Sequence, residues 1–373
     1  MFKPAITGTG VFTPDQTITN DELVASFNAY ADKMNAQNAA AIEAGEIEPM
    51  QHSSSEFIYK ASGIKQRHVL DKEGVLNPDV MHPQLRQRAD DEPSVMTEMA
   101  VDACKKALTQ AQIDASEIDL VICAASNMER AYPAVAIEIQ KELGAGGFAF
   151  DMNVACSSAT FGLQAAADMV RAGSVRKAIV VNPEICTGHL EWRDRDCHFI
   201  FGDVATATVV ERSEDAKGAF FEIISTRCAT EFSNNIRNNN GFLRRSRPDG
   251  VADRRDMQFM QNGRKVFKEV VPMVSAHMLA HLADEGIAPD NLRRLWLHQA
   301  NKSMNDFIGK KVLGRTPENG EQPNILQDYA NTSSAGSIIA FSKFSDDLES
   351  GDYGVICSFG AGYSVGSVLV KRH

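Results

Sequence analysis

The chain has 373 residues, enough for two ordinary domains and a well-filled core. Apolar residues make up 43% and charged residues 23%, which excludes a mainly disordered chain. The formal net charge of −11 argues against a general nucleic-acid binder, because phosphates repel an acidic surface.

Residues 1–8 lack the continuous apolar segment of a secretory leader, and residues 5–11 read as a first strand. Asn20-Asp21-Glu22-Leu23 reads as a capped helix start. Two insertions follow. Residues 28–55 read as an extra helix or cap, and 71–93, polar with three prolines, as a long loop. From residue 94 the pattern is regular: helix 94–112, strand 119–124, helix 135–143 ended by Gly144, and strand 149–154. A helix from near Cys156 to Gly173 and strands at 177–182, 206–210 and 220–225 come next. Residues 262–285 are helical, and strands at 295–297 and 367–371 close the chain. Strands alternating with helices predict an α/β architecture with much parallel sheet. No aliphatic run approaches the ~20 residues that span a bilayer, so a cytoplasmic protein with no membrane partner is expected.

The second part of the chain repeats the first. Residues 113–127 align with 287–301 at an offset of 174. Ala155-Cys156-Ser157-Ser158 aligns with Ala330-Asn331-Thr332-Ser333 at an offset of 175. Any two βα units look alike at this level, but the shared spacing favours a duplication, with halves at 1–212 and 213–373. Different strand orders in the halves would contradict it.

The seven cysteines are odd in number and lack CxxC pairs, so they form neither a disulfide framework nor a zinc site. Cys156 follows a strand and begins a helix, where free N–H groups favour a thiolate. His298 ends a strand, and Asn331 begins a helix in the second half. Singly, each has a structural explanation: a small buried residue, a hydrogen-bonded imidazole, an N-cap. Jointly they make a nucleophile constellation. The glycine-rich 359–366 lacks the following helix of a dinucleotide fingerprint. It reads as a close backbone approach offering an oxyanion-hole N–H, or as a tight hairpin. Gly8-Thr9-Gly10 is equally weak. His277 and His281 lack the Glu of a zincin and read as partly exposed helix residues. Arg244, Arg245, Arg247, Arg254 and Arg255 could grip phosphates or an acidic partner, or form local ion pairs.

Asn153-Val154-Ala155-Cys156-Ser157-Ser158, Phe201-Gly202-Asp203-Val204-Ala205, His298-Gln299-Ala300-Asn301, Asn331-Thr332-Ser333-Ser334-Ala335 and Phe359-Gly360-Ala361-Gly362 occur in this order. Together they resemble a β-ketoacyl-acyl-carrier-protein synthase III of the thiolase superfamily. The likeness runs from Ile6 to Arg372 apart from the two insertions. It implies a thiolase-like fold of two α/β halves in five α-β-α-β-α layers. It also implies an acyltransferase that condenses an acyl-CoA primer with malonyl-acyl-carrier protein, releasing CoA and CO₂, to initiate fatty acid synthesis. Cys156 would be the nucleophile, and His298 and Asn331 donors to the malonyl thioester carbonyl. The backbone N–H groups of Cys156 and Ala361 would form the oxyanion hole. Phe57 and Arg195 would flank the adenine of coenzyme A. Asn301 would meet the pantetheine arm, with Phe359 beside the substrate. Tyr132 would cross a homodimer interface to close the partner's acyl pocket. Lys268, Lys310 and Lys311 would meet the carrier protein. Neither a metal nor a redox cofactor is implied.

Departures from the family pattern are Ala330 and Ala361 in place of glycines, tolerable where φ is negative, and Ala61 in place of an arginine that helps hold coenzyme A. The insertions flank the tunnel mouth, so a primer longer than acetyl is expected. Three alternatives stay open: head-to-head joining of two acyl-CoA molecules with Glu129 as base, acyl transfer to an oxygen or nitrogen in secondary metabolism, and a non-enzymatic carrier-protein-binding subunit. Glu129 itself reads first as a surface carboxylate.

Overall fold

The computed structural model describes residues 1–241, 255–318 and 320–373. Pro4–Phe12 forms β1. A ribbon of β2 (Gln16–Thr19) and β3 (Gln66–Val69) encloses α1 (Asn20–Gln37), α2 (Ala39–Glu43) and α3 (Ser55–Ser62). Thr19 and Glu22 cap α1 reciprocally, as the sequence signal suggests. The stretch read as a long loop begins with one helical turn, α4 (Lys72–Leu76), capped by Asp71. Then come α5 (Val95–Ala111), β4 (Leu120–Ala124), α6 (Val135–Leu143), β5 (Phe148–Met152), α7 (Ser158–Ala172), β6 (Lys177–Ile185) and β7 (Asp203–Arg212). The chain continues through β8 (Phe221–Ser233), the two-residue strands β9 (Ile236–Arg237) and β10 (Met260–Gln261), α8 (Gly263–Asp284) and β11 (Leu292–Leu297). It ends with α9 (Lys302–Leu313), α10 (Leu326–Tyr329), α11 (Gly336–Lys343), β12 (Tyr353–Gly360) and β13 (Gly362–Arg372).

Nine strands hydrogen-bond in the order β11-β12-β13-β8-β1-β7-β6-β4-β5. In the first set β4 runs parallel to β6, and β6–β7 and β7–β1 are antiparallel. The second set repeats this: β11–β12 parallel, β12–β13 and β13–β8 antiparallel. Equal orders are the outcome expected of a duplicated fold. The sets join only where β1 pairs with β8, at Ala5–Glu222 and Ile6–Phe221. Less of the sheet is parallel than the sequence suggested, because no crossover helix separates β6 from β7 or β12 from β13.

Apolar faces stack these elements into five layers. α5 and α6 cover the outer face of the first set, and α8 and α9 that of the second. α7 and α11 lie between, sharing one core with both sets around Leu163, Ile338, Phe341 and the buried Trp296. Gly8 and Gly10 belong to packing and not to a ligand: a Cβ there would sit 2.2 Å and 2.0 Å from the Ala107 and Ala103 carbonyl oxygens of α5. A separate core of the cap packs Phe27, Ile58 and Trp192 over the mouth of the sandwich. Arg67 fastens it, donating to the carbonyls of Ile18 and Phe199 and to Asn20 Oδ1 at 2.9–3.2 Å. No helix among the described residues is long and apolar enough to cross a membrane.

Two sequence readings change. Arg244, Arg245, Arg247 and Arg254 lie outside the described residues, and Arg255 pairs with Asp194 at 2.7 Å. His277 and His281 are buried, not partly exposed, because α8 lays this face on β8 and β13. Both hydrogen-bond Ser367 Oγ, at 3.1 Å and 2.7 Å, and His281 also meets Ser225 Oγ at 2.8 Å. Burial pushes His277 down to about 4, and His281 in the same direction. The unfolded chain therefore binds these protons first as pH falls. The stability they contribute is full above pH 6.5 and is lost toward pH 4. We expect His277→Gln to remove about 2 kcal/mol of the destabilisation between pH 7 and pH 5, read from urea midpoints. An unchanged pH slope would contradict the assignment.

Candidate active site

Cys156 sits in a turn between β5 and α7, just before the N-cap Ser157. Asn153 shapes the turn: Oδ1 accepts from the Ala155 N–H at 2.9 Å, and Nδ2 donates to the Ser126 carbonyl at 2.8 Å. Ala155 is thereby held at φ 47°. The matching turn of the second half holds Asn331, whose Oδ1 accepts from the Ser333 N–H at 2.8 Å. Asn331 thus caps the turn before α11 with its oxygen, which leaves the Nδ2 donor for the cavity. Ala330 precedes it at φ 56°, ψ −159°. The condition under which an alanine is tolerable, a negative φ, is not met at this position: the alanine occupies a region essentially reserved for glycine. Ala361 is not among the positive-φ residues.

His298 follows β11, with its N–H bonded to the Cys357 carbonyl at 2.7 Å and its carbonyl accepting from Asn305 Nδ2 at 2.9 Å. Its ring stands edge-on to Phe359, centroids 5.2 Å apart. Burial pushes its pKa down to about 4, so the imidazole is neutral at pH 7. The glycine-rich stretch is a hairpin, with Gly360 paired to Ser364, and it is also a close approach. A Cβ on Gly360 would lie 2.6 Å from Cys156 Cβ and 3.1 Å from Sγ.

Burial pushes the Cys156 thiol up to about 11. A 3.4 Å hydrogen bond from Ser333 Oγ and the backbone N–H groups of Ala361 and Cys156 act the other way without overcoming it. The thiolate expected from the helix start is therefore absent from the resting site. The same two N–H groups are the pair named from sequence as the oxyanion hole. Ser333 and Glu184 were not singled out from sequence. Glu184 is buried on β6 and accepts from the backbone N–H groups of Ser126 (3.0 Å) and Ser334 (3.2 Å) and from both hydroxyls. Desolvation still lifts it to about 6.

Cys156, His298, Asn331, Phe57, Asn301 and Phe359 all line one cavity of about 370 Å³. At its mouth Arg195 lies over the Phe57 ring at 4.4 Å, so the two stack on each other and leave no base-wide gap between them. Asn301 caps α9 and donates to the Ala61 carbonyl at 2.6 Å. Lys268 on α8 and Lys310 and Lys311 on α9 are exposed, on helices joined by the Phe267–Phe307 contact. Tyr132 lies away from this cavity, 85% exposed. Glu129 Oε2 accepts from the Met96 N–H at 3.0 Å, in the first turn of α5, which explains it without chemistry.

The two backbone approaches give opposite expectations for stability. Ala330→Gly should stabilise by about 1 kcal/mol, the relieved strain exceeding the added unfolded-state entropy. Gly360→Ala should destabilise by about 1–3 kcal/mol through overpacking against Cys156. Urea unfolding measures both, and a destabilised Ala330→Gly would refute the strain at that turn.

The chain matches the family models of 3-oxoacyl-[acyl-carrier-protein] synthase III over residues 150–231 and of its C-terminal domain over 282–372. It is 55% identical to a β-ketodecanoyl-[acyl-carrier-protein] synthase of Pseudomonas aeruginosa, over 93% of this chain and 99% of that protein. A β-ketoacyl-[acyl-carrier-protein] synthase III of Ehrlichia canis is 30% identical over the whole of both chains. The crystal structure of the 3-oxoacyl-[acyl-carrier-protein] synthase III of Aquifex aeolicus superposes with a TM-score of 0.76 at 26% identity, covering 99% of both chains. These matches, on a duplicated five-layer sandwich, place the chain in the β-ketoacyl-acyl-carrier-protein synthase III family of condensing acyltransferases.

Proposed function

We propose that this protein joins a medium-chain acyl-CoA primer to malonyl-acyl-carrier protein by decarboxylating Claisen condensation. The observation that carries the reading is the convergence of Cys156, His298 and Asn331 on one cavity, with the Gly360-Ala361 backbone against the sulfur. Medium chain length rests on the 55% identical relative, which is named for a ten-carbon product.

In this reading the Cys156 sulfur attacks the primer carbonyl as its proton passes to neutral His298. The carbon–sulfur bond to Cys156 forms, CoA leaves, and the proton returns to its thiolate. Malonyl-carrier protein then docks along Lys268, Lys310 and Lys311. His298 and the Asn331 amide donate to the malonyl thioester carbonyl, and CO₂ departs to leave an enolate. Donors of ordinary neutral acidity stabilise that enolate without protonating it. Its carbon attacks the acyl-Cys156 carbonyl, and the oxyanion rests on the N–H groups of Cys156 and Ala361. Collapse expels the Cys156 thiolate, which takes a proton from solvent to restore the thiol, and releases the 3-oxoacyl product. Coenzyme A enters as substrate, and no step calls on a metal or redox group. The adenine needs the Phe57–Arg195 stack to open, or it lies outside it.

A homodimer fits the same reading. β5 ends the large sheet, and Tyr132, Ile137 and Phe148 nearby are 85%, 49% and 48% exposed. Light scattering should give twice the chain mass, and a monomer at micromolar concentration would remove this part.

The two half-reactions separate by mutation. Asn331→Ala should keep the Cys156 acyl adduct from octanoyl-CoA, seen by intact-protein mass spectrometry, yet lose condensation by about 10²-fold or more. Cys156→Ala should lose the adduct altogether. An adduct on Cys156→Ala, or full condensation by Asn331→Ala, would overturn the mechanism.

A further inference from the structure

Phe201 lines the cavity of Cys156 and packs on His189, which lines another. Its backbone bridges to Asn331, with the Asn331 N–H bonded to the Ile200 carbonyl at 3.0 Å and the Gly202 N–H to the Asn331 carbonyl at 3.1 Å. Phe201 and Phe259 both line the cavity of Cys156. Their rings meet edge to face at 4.8 Å, and the Phe201 ring also meets the tilted His189 ring at 5.3 Å. The Phe259 N–H bonds the His189 carbonyl at 2.8 Å, locking the three residues together. His189 itself lines a second, more open cavity of about 790 Å³, with Asn127, Met128 and Ile185. The stack therefore spans from one cavity to the other.

The His189 ring is chemically odd for a wall. Both of its nitrogens are buried without a hydrogen-bond partner among the described residues. Burial pushes its pKa down to about 4, so the ring is neutral and packs as an apolar plate. A phenylalanine would fill the same place with no orphaned polar atoms. An imidazole differs in one respect: turned into the open cavity, its nitrogens would meet water, which offsets the packing lost on turning.

We propose that the acyl chain of the primer runs from Cys156 along Phe201, and that the Phe201–His189–Phe259 stack is the gate that ends it. This rests on the primer reading given above and assigns the residues that set its length. Primers that stop short of the gate leave it closed. Longer ones must displace His189 and enter the second cavity.

The test reads the Cys156 adduct by intact-protein mass spectrometry against an equimolar series of butyryl-, octanoyl- and dodecanoyl-CoA. His189→Ala should raise the dodecanoyl-to-octanoyl ratio about tenfold or more, since each methylene newly buried is worth roughly a fourfold change and two of the four that dodecanoyl adds already exceed tenfold. His189→Trp should lower the octanoyl-to-butyryl ratio by a similar factor. Phe259→Ala should move the ratio in the same direction as His189→Ala, so the gate stays testable if the tryptophan variant does not fold. Unchanged ratios in the variants that still acylate would overturn the gate and leave the condensation reading standing. No adduct on the wild-type chain, from acyl-CoA or acyl-carrier protein, would remove both.

Discussion

The buried carboxylate of Glu184 ties the active site into one piece. It accepts from Ser126, at the end of β4, and from Ser334, in the turn after Asn331. Ser126 in turn holds Asn153, which shapes the turn of Cys156. One side chain thus links the nucleophile turn of one half to the donor turn of the other. Among the described residues the two halves pair in the large sheet through two residue pairs of β1 and β8, and near the site through the backbone bridge of Phe201 to Asn331. Registration at the site must come from such bonds and from the packing of α7 and α11. Four donors do not fully repay the desolvation of the carboxylate, which is why its pKa stays raised. A group held this way is kept for position.

The duplication explains how one turn serves two chemistries. Ala155 and Ala330 both take positive φ, each just before the reacting residue. The strained turn lifts the next side chain off the helix start and into the cavity. In the first half that side chain is a thiol. In the second it is an amide whose oxygen is already engaged, so only its hydrogens face outward. The burial that surrounds them keeps His298 neutral and the Cys156 thiol protonated at rest. In the proposed mechanism reactivity is therefore released by substrate, through proton transfer within the cavity, and not stored as a standing charge.

Much of this was legible in the sequence because it is written in local patterns. The strand-and-helix alternation, the 175-residue offset and the order of Cys156, His298 and Asn331 all rest on neighbours along the chain. What was not legible depends on distance across the fold. His277 and His281 look like solvent-facing helix residues until α8 is laid on β13, where Ser367 lies. Glu184 carries no motif, since its partners are 58 and 150 residues away. The sign of φ at Ala330 is likewise set by the bonds around Asn331 and not by alanine's own preference, which opposes it. Phe57 and Arg195 were read as the two sides of one base-binding gap, but the distance between them is a matter of packing and here they stack on each other.

Arg67 has a consequence for how substrates reach the cavity. It is wholly buried and meets carbonyl and amide oxygens, and no ion pair to a carboxylate is seen among the described residues. Burial pulls its pKa down to about 9, so it keeps its charge through the neutral range. A cation clamped by dipoles inside protein is little screened by salt, and this one would lose its charge only as pH rises toward about 9. The cap is thereby tied to the backbone at Phe199, which lines the cavity. Parting the Phe57–Arg195 stack beneath it would then take only side-chain rotation, with the Arg67 bonds left intact.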